Sequence, residues 1–220
     1  MEPTKPTVVI KHITPLTVCS DAIRQCHASQ DKSDSTDSIG SKDLALIGRV
    51  GVKMKHESTL EHIVVQMDIS NISRALLQEW SRHRIGLSQT VKSSRYTLGE
   101  LREEAPMWDP IAGRYAFKRC SKYLVYTGDD AVDKTLIAAL DNLRTLVVQG
   151  ISNDLLKYAM PDAYKTSLTA TINFRSLRNL LRLRTAPSAL WEFRNLAYAI
   201  YDAIPESYKF LLEDCVYKEK

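Results

Sequence analysis

The stretch Ser81-Arg82-His83-Arg84-Ile85-Gly86-Leu87-Ser88-Gln89-Thr90-Val91-Lys92-Ser93-Ser94-Arg95-Tyr96 organises the reading of this chain. It holds three arginines, one lysine, one histidine and four serines, without a carboxylate. No local partner is offered to these cations, so the stretch reads as a site for an anion. Arginine's planar fork matches phosphate, and serine hydroxyls and loop amides complete such a cradle. A surface helix with no ligand to bind would carry acids one turn away, and none occurs here.

The rest of the composition bounds the answer. With 220 residues, 44% of them hydrophobic and 25% charged, the chain has the make-up of a soluble globular protein and enough length for a real core. A single domain spanning residues 1–220 is expected. A net charge of +4 argues against a protein that coats nucleic acid, because the basic residues are clustered rather than spread. Cys19, Cys26, Cys120 and Cys215 form no CxxC pair, which favours reduced, mostly buried thiols and a cytoplasmic setting. The polar N-terminus does not resemble a secretory leader, and no run approaches the roughly 20 apolar residues of a membrane span.

Along the chain, Thr7–Ile13 is β-branched and predicts a strand, followed by a helix over 16–29 and a polar loop over 30–41. A helix is expected over 42–55, a strand over 61–69, and a helix over 72–84. The last turn of that helix would hold Arg82, His83 and Arg84 at the negative end of its dipole. Residues 107–113 break the pattern. Helices are expected over 114–126 and 130–149, with Gly150 as a C-terminal cap, and over 153–159. The alternating, hydroxyl-rich run 167–174 predicts a strand. Helices over 175–184 and 188–203 follow, and Pro205 opens a last one to about residue 217. Strands and helices do not alternate strictly, so the class is α+β, with helices packed on a central mixed or antiparallel sheet.

The chemical constellations narrow the function. No glycine pattern forms a dinucleotide-binding turn or a P-loop, so side chains must hold any nucleotide cofactor. The run His56-Glu57-Ser58-Thr59-Leu60-Glu61-His62 sets its histidines six apart, where a helical zinc site needs four, and no metal site is expected. A second basic cluster runs from Arg175 to Arg184. It reads either as a solvated basic face over an apolar stripe, or as Arg175, Asn179 or Arg184 turned inward to meet the first cluster. Ser93 follows Lys92 without a sign of a general base, and so reads as a binding hydroxyl rather than a nucleophile.

Four segments in order resemble the flavin-dependent thymidylate synthases. Arg82-His83-Arg84, eight residues, then Ser93-Ser94-Arg95 resembles the family signature, which has seven residues between its halves. Val91 stands where many members have glutamate. The His56–His62 segment is similar to the family's His-Glu-x-x-x-Glu-His. Asn173-Phe174-Arg175-Ser176-Leu177, Asn179 and Leu183-Arg184 resemble its Asn-x-Arg-Ser-Leu helix, with Trp191-Glu192 beyond. Lys157, before Met160-Pro161, stands where many members have arginine.

This resemblance, over roughly residues 8–215, implies reductive methylation of dUMP to dTMP. FAD would be the cofactor, methylenetetrahydrofolate the one-carbon donor and NADPH the reductant. By position, Ser58, Arg82, His83, Arg84, Asn173, Phe174, Arg175 and Asn179 would contact FAD. Glu79, Trp80, Ser81, Arg82, Ser93, Ser94, Arg95, Lys157 and Arg184 would contact dUMP, and Glu79 occupies a position often filled by glutamine. Arg184 would be catalytic, stabilising negative charge on the pyrimidine. A homotetramer with flavin sites shared between subunits is implied, with no nucleic acid or membrane partner. The alternative is a non-enzymatic nucleic-acid-binding protein that uses the same arginines on phosphates.

Overall fold

The computed structural model describes residues 1–35 and 38–218. In chain order the elements are β1 (Thr7–Ile13), α1 (Leu16–Gln25), α2 (Ser41–Ile47), β2 (Val64–Ser73), α3 (Arg74–Trp80), β3 (Leu87–Val91), α4 (Ser94–Thr97), β4 (Trp108–Asp109), β5 (Arg114–Tyr115), α5 (Phe117–Cys120), α6 (Asp130–Val148), α7 (Asn153–Leu156), β6 (Lys165–Asn173), α8 (Phe174–Arg184), α9 (Trp191–Ala203) and α10 (Glu206–Lys209). The α+β class holds, with a four-stranded sheet in the order β1-β2-β6-β3 and a small β4–β5 hairpin. No helix among the described residues is long and apolar enough to cross a membrane.

The chain forms two compact units. One comprises Met1–Pro6, Ser70–Trp80 and Val91–Leu168, and the other Thr7–Ile69, Ser81–Thr90 and Thr169–Lys220. In the first, α6 presents Ile137, Leu140, Leu143 and Val147 on one face, and these bury against Leu98, Leu101, Met107, Tyr123, Leu124 and Leu156. Asp129 caps α6 by accepting from the amides of Ala131 and Val132, each at 3.0 Å. Gly150, at φ +82°, ends it as the sequence predicts. Buried Asp133 accepts from the Thr127 amide at 2.8 Å and the Gly128 amide at 3.2 Å, which ties the incoming loop to the helix.

In the second unit, β6 alternates along its length, sending Ala170 and Ile172 into the core. From α8 come Phe174, Leu177, Leu180 and Leu181, and from α9 Phe193, Leu196, Ala197 and Ile200; all are buried. Helices α8 and α9 pack on each other, and α9 packs on β1. The four cysteines are free thiols, and three of them are buried.

Several expectations are corrected. The helix predicted over 72–84 is shorter at both ends: β2 runs to Ser73, whose Oγ accepts from the Leu76 amide at 2.9 Å and so caps a helix that closes at Trp80. Arg82, His83 and Arg84 therefore lie in a turn and owe nothing to a helix dipole. Strand β3 and the β4–β5 hairpin were not anticipated, and the helix expected over 114–126 reduces to α5. The helix expected over 42–55 stops at Ile47 and relaxes into a π turn over Gly48–Lys53. The last predicted helix is only α10 and a short 3₁₀ turn.

One buried ion pair fastens α1 to α2. Arg24 Nε donates to Asp43 Oδ1 at 2.6 Å, and the Ser33 and Ser35 hydroxyls reach the other carboxylate oxygen, at 2.5 and 2.7 Å. Burial alone would raise the Asp43 carboxyl, but hydrogen bonds from both serines and Arg24 outweigh it and hold the pKa at about 2. A pKa lowered by folding contributes stability above the ordinary aspartate value of about 4, lost as pH falls through about 2. Asp43→Ala leaves Arg24 buried and unpaired and is expected to cost about 3–5 kcal/mol in urea unfolding at neutral pH. The difference from the parent protein should shrink as the pH is lowered from 4 toward 2.

Candidate functional site

Within the second unit an open cavity of about 1160 Å³ is bounded by Arg82, His83, Arg84 and Ile85 on one side, and by Asn173, Arg175, Ser176, Asn179, Arg182 and Arg184 on the other. Arg82–Arg84 of the first basic cluster and Arg175, Arg182 and Arg184 of the second thus face one space. The size exceeds the several hundred Å³ of an ordinary small-ligand pocket and suits a dinucleotide.

The α8 wall is set by its cap and its back face. Asn173 Oδ1 accepts from the Ser176 amide at 2.9 Å, leaving the first turn of the helix at the cavity's edge. Further along α8, Arg178 is fully buried. Its guanidinium donates to Glu57 Oε1 at 3.0 Å and, in a two-pronged pair, to Asp214 at 2.7 and 2.8 Å. Arg182 shares Glu57 at 2.8 Å. Burial would raise the Glu57 carboxyl, yet hydrogen bonds from Arg182 and Arg178 hold it below the usual glutamate range. Two arginines four residues apart therefore do not repel; they clamp one carboxylate. The inward reading of this cluster holds for Arg175, Asn179 and Arg184, all of which border the cavity.

The opposite wall depends on Gly86. It sits at φ +64°, and a Cβ there would run into the side chains of Asn173 and Ser176. Its carbonyl accepts from the Asn173 amide at 3.0 Å, so the basic turn is drawn against the start of α8. Arg184 is held between His83 and Phe193, which also touch each other. Its Nε donates to His83 Nε2 at 2.9 Å, its guanidinium lies 4.5 Å from the Phe193 ring centroid, and the His83 ring meets the same phenyl edge-on at 5.6 Å. Accepting at Nε2 requires the His83 proton to be on Nδ1.

The charge on this surface is partly in reserve. Arg175 reaches Glu61 at 2.6 Å, but both side chains are about half exposed, and such a pair is worth about 1 kcal/mol or less. Arg84 and Asn179 have no protein partner among the described residues. An incoming phosphate can recruit all three at little cost.

The remaining residues singled out from the sequence lie as follows. Ser58 is exposed on the 3₁₀ turn Glu57–His62 and does not border the cavity. Phe174 turns its ring into the core, 5.9 Å from Tyr208, and only its backbone faces this region's loops, its amide donating to Ile63 O at 2.9 Å. Ser81 is exposed on the turn after α3. In the first unit, Glu79 is half-buried and Trp80 fully buried at the end of α3. Ser93 is the exposed N-cap residue of α4 and Ser94 is buried behind it. Arg95 pairs with Asp154 at 2.7 Å, and the Asn153 amide reaches the Arg95 carbonyl at 2.5 Å, which sets α4 on α7. Lys157 follows α7, exposed.

Sequence reasoning missed the counter-ions. Glu57 and Glu61 were weighed against a metal, whereas they serve α8: two acids four apart facing arginines at 175, 178 and 182 was the available signal. Among the described residues no group of three or more histidine, cysteine or acidic side chains is gathered to hold a metal ion.

The comparisons agree with this geometry. The model of the thymidylate synthase complementing protein family matches residues 8–207. This chain belongs to that family, the flavin-dependent thymidylate synthases. It is 51% identical over 206 residues to the flavin-dependent thymidylate synthase of Campylobacter jejuni, covering 94% of this chain and 95% of that one. It is 47% identical to the Helicobacter pylori enzyme over 210 residues, 95% and 98% of the two chains. A crystal structure of Helicobacter pylori thymidylate synthase X with FAD and dUMP superposes with a TM-score of 0.88 at 45% identity, over 96% of this chain and 99% of that one.

The Gly86 contact yields a direct test. Gly86→Ala imposes a left-handed alanine, worth about 1–2 kcal/mol, and adds a collision with Asn173 and Ser176. Urea unfolding should show a loss at least that large, whereas Gly99→Ala, where a Cβ meets nothing within 4 Å, should be near neutral.

Proposed function

We propose that this chain catalyses the reductive methylation of dUMP to dTMP, with FAD as cofactor, methylenetetrahydrofolate as one-carbon donor and NADPH as reductant. The observation that carries the reading is the convergence of Arg82, Arg84, Arg175, Arg182 and Arg184 on one dinucleotide-sized cavity. A dinucleotide pyrophosphate beside a nucleotide monophosphate brings several negative charges, and little else would need so many forks.

In this reading Arg82, His83, Arg84, Asn173, Arg175 and Asn179 hold the flavin dinucleotide. Arg175 gives up its weak surface pair to do so. Phe174 contributes through its backbone, and Ser58 only at the periphery. Flavin, when bound, supplies the hydride chemistry; the protein supplies position and charge. Glu79, Trp80, Ser81, Arg82, Ser93, Ser94, Arg95 and Lys157 are assigned to dUMP, Ser93 as a hydroxyl donor and Lys157 as a point charge.

Arg184 is the residue we assign to catalysis. Restrained by His83 and Phe193, its guanidinium pays little orientational entropy at the moment of reaction. A cation fixed in that way stabilises negative charge on the pyrimidine, which raises the nucleophilicity of the ring carbon without a cysteine. The whole chain would act as one functional domain in the cytoplasm. The enzyme would be a homotetramer whose subunits complete one another's flavin sites.

The purified protein should be yellow, oxidise NADPH faster when dUMP is present, and release tritium from ring-labelled dUMP. A colourless protein that neither takes up FAD nor releases tritium overturns the proposal. Arg184→Ala should lower turnover by about a hundredfold or more with flavin still bound. Ser93→Ala should weaken dUMP binding yet keep measurable turnover; complete loss of turnover at unchanged dUMP affinity would instead make Ser93 the nucleophile.

A further inference from the structure

The first unit contains a second, smaller cavity that the assignment above does not use. It holds about 160 Å³ and is bordered by Asn71, Lys92, Glu100, Lys122, Tyr123, Lys165 and Ser167, among others. At roughly 30 Å³ of liquid water per molecule, that is room for about five waters or one small polyatomic ion.

The charges around it are unequal. Lys92 lies 3.4 Å from Glu100, and Lys122 lies 2.9 Å from Glu104, so each of these two has a carboxylate. Lys165 has none. Its half-buried ammonium donates only to neutral oxygens, the Ser121 carbonyl at 2.7 Å and Asn71 Oδ1 at 3.2 Å. Burial lowers its pKa, the signature of a cation held without a counter-charge. Three ammonium groups border the cavity against one carboxylate, so the local balance is positive.

The backbone is bent to this arrangement. Asn71, within β2, sits at φ +59°, a left-handed conformation that only a minority of non-glycine residues adopt, and its side-chain oxygen accepts from Lys165. Ser167, two residues along β6, falls on the same face as Lys165. With two of its three N–H groups used on neutral acceptors, Lys165 keeps one donor for a ligand.

We propose that this cavity is an anion-binding site that takes one oxyanion group, a phosphate or a carboxylate, on Lys165 with Lys92 and Lys122 at its rim. The ligand is either free inorganic phosphate, the phosphate end of a longer molecule, or a carboxylate tail; the shared chemistry is a single compact oxyanion.

Competitive acetylation of the intact protein tests this, read lysine by lysine by peptide mass spectrometry. Lys165 should acetylate in the native protein. Its rate should fall saturably with added inorganic phosphate, by roughly tenfold once phosphate reaches about ten times its dissociation constant. Glutarate forms a parallel arm: protection by both anions marks a general oxyanion site, and protection by phosphate alone marks a phosphate site. Arg184→Ala should leave the protection intact.

Three results would overturn the proposal. Phosphate could protect no better than sodium chloride of equal ionic strength. Lys165 could stay unreactive until urea is added, because protein then fills the cavity. Protection could disappear in Arg184→Ala, which would assign it to the arginine-lined cavity.

Discussion

The arrangement of the arginine-lined cavity depends on one buried cation. Arg178 is closed off from solvent between Glu57 and Asp214, and it is the pin that fixes the rotation of α8 about its own axis. Removing one partner of such a group leaves an uncompensated buried charge, a loss of several kcal/mol and a large share of a domain's net stability. With Arg178 pinned inward, helical geometry leaves no freedom to its neighbours. Arg175 and Arg182, three before and four after, lie on the same side of the helix as Arg178, which is why Arg182 shares Glu57 with it and Arg175 reaches the nearby Glu61. The apolar stripe of Leu177, Leu180 and Leu181 supplies burial energy, and Arg178 adds directionality that a leucine stripe lacks.

The acids around α8 follow a graded logic. Glu57 is shared by a buried and a partly exposed arginine, which together hold its carboxyl below the usual glutamate range against the effect of burial. Glu61 engages only Arg175, in a pair open to water. The first is structural and costly to break; the second is weak enough to exchange for a ligand oxygen. A cavity that must receive polyanions while folding without them benefits from both kinds. Strong pairs hold the scaffold, and weak pairs quiet the repulsion among arginines until a better acceptor arrives.

Much of this was legible in the sequence because its signals were periodic or local. β1, α6 with its Gly150 cap, and α8 follow from alternation, a 3.6-residue stripe and terminal residues. The basic turn was recognised by composition, but its supposed lack of partners was wrong in a specific way. Arg95 finds Asp154 and Arg184 finds His83, across 59 and 101 residues, where no local pattern reports. The helix predicted over 72–84 failed because Ile72 to Trp80 fits a helical stripe whether or not its first residues are strand. Ser73 decides the matter by capping, a choice made by tertiary pairing of β2. Arg178 read as a basic residue on a helix face; only the distant Asp214 and Glu57 could reveal that it is buried.

The stretch between the two halves of the basic signature pairs without a bulge. Gly86 accepts from Asn173, and Lys92 donates to Ser167, so six residues on one strand span six on the other. That is a single antiparallel register with no bulge between the two bonds, since an inserted residue would make the spans unequal. The additional residue is therefore not looped out of β3. β3 lies at the edge of the sheet, with β6 as its one neighbour, and an edge strand can lengthen without disturbing a second ladder. The Arg82–Ile85 turn precedes this paired run. The left-handed Gly86 separates that turn from the strand. Gly86 is thus the one residue in the stretch whose left-handed backbone no side chain could readily adopt.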